Sequence, residues 1–99
     1  MNETGGPREL TQETPTISSG VAFQNTHSIP VTYAVTVKGA GKCKIDIGDT
    51  EAAAVELGTE ELVASQNRVV QVRLPGEWWG KLTLTTATFT GANKAIVGM

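Results

Sequence analysis

The chain has 99 residues, 39% of them hydrophobic, and 8 Lys and Arg against 10 Asp and Glu give a net charge of −2. That length sets one domain with one real core, and the mild acidity excludes a strongly basic nucleic-acid binder. Cys43 is the only cysteine and His27 the only histidine, which excludes an intrachain disulfide and a thiolate zinc site; no apolar run approaches the ~20 residues of a membrane-spanning helix.

Residues 1–15 read M-N-E-T-G-G-P-R-E-L-T-Q-E-T-P. Two prolines and a Gly-Gly pair forbid a helix, and Leu10 is the one apolar side chain after Met1. The segment has no core of its own and reads either as a disordered tail or as an extended N-terminal arm that orders on a partner; the arm is the expectation carried forward. Pro7, Arg8 and Leu10 set a rigid turn, a guanidinium fork and an apolar knob within four residues, the materials of a partner contact. There is no basic-then-apolar leader, so synthesis in a cytosol is expected.

Residues 16–99 carry the domain. Ile17, Ser19, Val21, Phe23 and Asn25 share one face of a first strand over residues 16–25, in which Gly20 suggests a bulge or a close backbone approach. Asn25 to Pro30 is a turn rich in Asn, Thr, Ser and Pro. The clearest strand follows, residues 30–38, with Val31, Tyr33, Val35 and Val37 on one face and Thr32, Ala34 and Thr36 on the other. It is expected at the centre of the domain. Lys38-Gly39-Ala40-Gly41-Lys42 reads as a hairpin turn. It leads into a strand with Cys43, Ile45 and Ile47 inward and Lys42, Lys44 and Asp46 outward.

After a turn at Gly48-Asp49-Thr50, Ala53, Val55 and Leu57 alternate as a short strand over residues 51–57. Gly58 to Glu61 reads as a turn and Leu62 to Ser65 as a short edge strand. Val70, Val72 and Leu74 set against Val69, Gln71 and Arg73 make the next strand. Leu74-Pro75-Gly76-Glu77 has the form of a type II turn with Gly76 at positive φ. Trp78-Trp79 opens a strand with Leu82 and Leu84 inward; 91–94 reads as a turn and 95–97 as a closing strand. About seven short strands separated by turns predict an all-β antiparallel sandwich, or a barrel-like variant of it.

Reaction chemistry is hard to assemble from these residues. A metal site needs three or four ligands, and Asp46, Asp49 and Glu51 lack the spacing of a calcium loop. Ser19 or Ser28 with His27 and an Asp has no nucleophile elbow around it. Cys43 sits on an apolar strand face, as an inert core thiol does. No enzyme activity, metal or cofactor is expected. Lys38, Lys42 and Lys44 read as a solvated hairpin. Trp78-Trp79 is the distinctive dipeptide: on a strand one ring can fill the core while the other covers the rim of the sandwich end, or stands exposed as a protein anchor or a sugar-stacking platform.

The segment S-G-V-A-F-Q-N-T-H-S-I-P-V-T-Y-A-V-T-V-K-G, with L-P-G-E at 74–77, resembles the small β-sandwich structural proteins of tailed bacteriophages. The resemblance spans roughly residues 17–86; Lys-Gly-Ala-Gly-Lys in place of a plain Gly-Gly turn, and Trp78-Trp79, depart from it. It implies a non-enzymatic virion component, in particular a capsid decoration (cement) protein. Such a protein is made in the host cytoplasm and carried on the virion, as a homo-oligomer on the particle. Its partners are the major capsid protein or other virion subunits, with no nucleic acid and no membrane. Pro7, Arg8, Leu10, Trp78 and Trp79 are the candidate partner-binding residues. The alternative is a carbohydrate-binding module of a tail fibre or appendage, stacking sugar on Trp78 or Trp79.

Overall fold

A computed structural model describes residues 11–63 and 66–98. Among these, eight strands form and no helix: β1 (Thr11–Glu13), β2 (Phe23–Gln24), β3 (Val31–Lys38), β4 (Gly41–Gly48), β5 (Val55–Leu62), β6 (Asn67–Leu74), β7 (Trp79–Thr85) and β8 (Thr88–Val97). They make two four-stranded sheets, β1-β8-β3-β6 (sheet A) and β2-β7-β4-β5 (sheet B), in which every pair is antiparallel. The expected antiparallel sandwich is the observed one. Its pairs nest: β4 with β5, β3 with β6, β2 with β7, β1 with β8. The chain is therefore one long two-stranded ribbon with its tip at residues 49–54. Rolled up, it brings β3 against β8 and β4 against β7. This is the jelly-roll wind.

The core lies between the inner faces. Val31, Tyr33, Val35 and Val37 of β3 are all buried, and the residues between them are half-buried. β3 sits between β8 and β6 and pairs with β6 along its whole length, from Val31–Leu74 to Lys38–Asn67. Cys43, Ile45, Val70, Val72, Leu74 and Leu82 complete the packing, with Ile17 entering from the N-terminal chain. Each such Val or Leu side chain contributes roughly 1.5–3 kcal/mol by leaving water. Phe23 packs its ring edgewise on Tyr33, centroids 4.9 Å apart.

Local readings fail where the chain turns corners. The glycine-rich link after β3 is no hairpin, because β3 and β4 belong to different sheets. Gly39 (φ 110°) and Gly41 (φ 126°) carry the chain across, and a Cβ on Gly41 would collide with the Thr85 carbonyl. The strand expected over 16–25 shrinks to β2. Gly20 takes φ 75° and Val21 is 58% exposed, while Ser19 and Gly20 still bond to β7 through Leu84 N–H to Ser19 Oγ (2.8 Å) and Gly20 N–H to Leu82 O (2.9 Å).

β5 runs straight through Gly58, which was expected to turn. Two register steps on β5 oppose one on β4, Ile45–Gly58 then Asp46–Glu56, so Leu57 bulges out and is 58% exposed. The expected edge strand at 62–65 is thus the end of β5 at Leu62, with Ser65 outside the described residues. Likewise 91–94 is no turn. β8 continues through it with a register shift against Val35 and Val37, absorbed at Gly91 (φ 90°). The turn after β6 is displaced by one residue: Trp78 N–H bonds to Pro75 O (3.1 Å), and Glu77, not Gly76, takes positive φ (66°). Gly76 is required for another reason, since a Cβ there would strike the Ser28 backbone.

Thr11–Glu13, placed in the arm by the sequence, pair with β8 as an edge strand: Thr11 with Val97, Gln12 with Ile96, Glu13 with Ala95. All three residues are exposed, so the pairing uses backbone bonds and little burial.

Candidate interaction site

At one end of the sandwich a single buried amide knits the 25–30 loop to the 74–78 turn, and separate bonds tie the N-terminal chain and the end of β8 to that loop. Asn25 is fully buried. Its Nδ2 donates to the carbonyls of Ile29 (2.9 Å), Pro75 (3.0 Å) and Leu74 (3.2 Å), and its Oδ1 accepts from His27 N–H (2.9 Å). The Asn25 N–H bonds to Trp78 O (2.8 Å) and the Glu77 N–H to His27 O (3.0 Å). Gly98 N–H bonds to Pro30 O at 2.8 Å, which ties in β8. His27 then reaches out of this end, its Nε2 3.2 Å from both carboxylate oxygens of Glu13 on β1. The sole histidine thus clips the last residue of β1 to the fold.

The two tryptophans follow directly. Trp78 is half-buried and packs on the core, while Trp79 is half-buried on the outer side of sheet B, opposite Gln24 and Gly48. Neither ring is fully buried or fully exposed. Gly48 is itself covered by the 49–54 turn: a Cβ there would stand 3.0 Å from Ala53 Cα. Pro7, Arg8 and Leu10 lie outside the described residues.

The acids near the tip do not converge. Asp46, expected on a wet face, is 6% exposed and meets Lys44 at 3.9 Å, whereas Asp49 and Glu51 are exposed. No cluster of three His, Cys, Asp or Glu side chains suited to a metal occurs among the described residues. Cys43 is fully buried, and burial, reinforced by the Glu60 charge, pushes its thiol up to about 11. Burial raises the Tyr33 hydroxyl as well, with the Glu13 charge adding to it.

One surface escaped the sequence reading. The outer face of sheet A carries Thr32, Ala34 and Thr36 from β3, Val69, Gln71 and Arg73 from β6, and Lys94 and Ile96 from β8. Ala34, Thr36, Val69 and Lys94 line an open depression of about 330 Å³, and Val69 is 57% exposed. β3, β6 and β8 contain four cations (Lys38, Arg68, Arg73 and Lys94) and not one Asp or Glu. Arg68 bonds to Glu60 on the facing sheet. Arg73 and Lys94 have no ion-pair partner among the described residues. A signal for this face was present in the sequence: Ala34 and Val69 are apolar side chains in otherwise polar outward sets.

No protein-family model, curated protein or solved structure matches the chain.

Proposed function

We propose that the protein is a non-enzymatic virion component, a capsid decoration (cement) protein of the tailed-bacteriophage kind. It attaches to the major capsid protein or neighbouring virion subunits through its N-terminal arm and the sandwich rim. The observation that carries this reading is how the N-terminal chain meets the fold. β1 rests on the edge of sheet A by three residue pairs and the Glu13–His27 contact, its side chains exposed, with ten further residues ahead of it. A segment so lightly tied adds little to the core and is suited to a partner. On a repeating shell such weak contacts multiply by avidity. Jelly rolls occur in viral capsid domains and in lectins alike, so the fold is compatible with this reading without selecting it.

The test is co-sedimentation with capsid shells stripped of their native decoration, comparing the full chain with a truncation starting at Thr16. The full chain is expected to bind and the truncation to bind far less, with its sheet circular dichroism retained. Equal binding by the two would refute attachment through the arm, and absence of binding by the full chain would refute the shell as partner.

A second reading, a carbohydrate-binding module, draws support from Trp79, half-buried on an outer sheet face with Gln24 opposite it in register and Lys81 two residues along the same strand. Retardation in polysaccharide gels that Trp79→Ala abolishes would favour it over the first.

A further inference from the structure

Three features stand outside the reading above. The buried Asp46 has a lysine beside it and faces no described cavity. The Asn93 Oδ1 is buried without a partner among the described residues but belongs to the inward side of β8, opposite the fully buried Val35. The outer face of sheet A, by contrast, is accessible, mostly apolar at its centre, and cationic at Arg73 and Lys94.

We propose that this face is the docking surface for residues 1–10 of a second copy of the chain. The inference rests on the arm reading and names the arm's receptor. Two observations select the occupant. The first is chemical. The segment M-N-E-T-G-G-P-R-E-L offers Glu3 and Glu9 as carboxylates against the single cation Arg8, and Pro7 and Leu10 as apolar knobs. The face offers the reverse set: Lys94 and Arg73 without acidic partners, around a depression floored by Ala34 and walled by Val69 and Thr36. A second sandwich laid face to face here would oppose like charges, which disfavours it. The second observation is directional. β1 runs antiparallel to β8, with Thr11 opposite Val97 and Glu13 opposite Ala95. Going back along the chain from Glu13 to Thr11 therefore leads away from Lys94, towards the Val97 end of β8. Read towards its N-terminus, β1 thus points away from the Lys94 depression of its own sheet. Ten extended residues reach ~33 Å, enough to cross β8, β3 and β6 of a neighbour's sheet A at ~5 Å per strand. Arm-to-face contacts of this kind are heterologous, and on a shell they link each copy to the next.

The test uses the full chain. Thr4→Cys is modified with a nitroxide; the fully buried Cys43, its thiol pushed up to about 11, does not compete for the label. Spin-labelled copies without isotope are mixed with ¹⁵N-labelled wild-type copies at high concentration. The expected result is loss of amide peak intensity at Ala34, Thr36, Val69 and Lys94 of the ¹⁵N copies, restored on reducing the nitroxide. Lys94→Glu in the ¹⁵N copy is expected to abolish the loss, and Glu9→Lys in the spin-labelled copy to bring it back. No loss at these four residues overturns the proposal. So does loss seen only when one molecule carries both labels and is diluted into unlabelled copies, which would put the arm on its own sheet. A chain that binds stripped shells without this pattern refutes the inference alone; the pattern without shell binding refutes the cement reading alone.

Discussion

Asn25 offers the sharpest check on how the sandwich end is built. Its amide presents two protons to three carbonyls, at Ile29, Leu74 and Pro75, and its oxygen takes the His27 N–H. Replacing it by Ala removes about three net hydrogen bonds at ~1 kcal/mol each, and leaves carbonyls and an N–H in a site that water enters poorly. The expected cost is about 3–4 kcal/mol, or roughly 12–30 °C in Tm for a domain of this size. Asn25→Asp keeps the shape and the acceptor but sets a carboxylate against those three carbonyls, so at pH 7 it is expected to cost more than Ala. Its folded-state pKa must then lie above the ordinary carboxyl value of ~3.9. For a carboxyl raised on folding, stability is present at low pH and lost as pH rises through the folded pKa. The gap between Asn25→Asp and wild type should therefore narrow between pH 7 and pH 3.5. Urea denaturation of the three proteins at both pH values measures this. An Ala variant losing less than ~1 kcal/mol, or an Asp variant as stable as the Ala variant at pH 7, would refute the account of Asn25 as the clamp.

Three further outcomes follow from the packing. Val35→Ala, at a fully buried position, is expected to cost ~2–3 kcal/mol and Thr36→Ala, on the outer face of the same strand, ~0.5 kcal/mol or less; equal costs by chemical denaturation would mean the faces are misassigned. Thr86 is β-branched, exposed and held at φ 74° at the corner between β7 and β8, so Thr86→Gly should stabilise by ~0.5–1 kcal/mol despite the entropy of glycine, and a lower Tm would contradict the strain. The Cys43 thiol, raised from its ordinary value to about 11, binds its proton more tightly folded than unfolded. Stability should accordingly fall by on the order of 2–3 kcal/mol as pH rises from about 9 to about 11, and Cys43→Ala should flatten that loss in urea midpoints measured across the window.

The strands were legible wherever alternation was clean, because burial of one face imposes a period of two on the residues that face the core. β3, β4, β6 and β7 all carry that pattern. Partnering was not legible. A two-residue glycine link such as Gly39-Ala40 has hairpin length, and only the sheet assignment of β3 and β4 distinguishes a hairpin from a corner. Gly58 and Gly91 show the converse error. Glycine was read as a stop, yet inside a long strand it marks the bulge that lets the strand continue. The displaced turn at 75–78 has a similar origin. The Pro-Gly pattern predicts positive φ at Gly76, but the demand Gly76 meets is close approach to Ser28, a contact 48 residues away in sequence that no local pattern encodes.

Interaction surfaces were less legible still, for a physical reason. A core residue is constrained by its own strand's period, whereas a surface is assembled from strands distant in sequence. Ala34 and Val69 stand out only as single apolar residues among polar outward ones, and with Lys94 they form one depression only after β6 and β8 close on β3. The tryptophans drew attention because they are rare, yet both are half-buried, and much of their area already stabilises the domain. The absence of acids from β3, β6 and β8 is a different kind of signal, visible once the strands are grouped by sheet. Ten acidic residues are available to the chain, and three of them, Glu3, Glu9 and Glu13, fall in its first thirteen positions. An even scatter would dilute both patches. Instead, acids are enriched in the N-terminal segment and cations lie along three paired strands, and the proposed arm-to-face contact rests on that asymmetry.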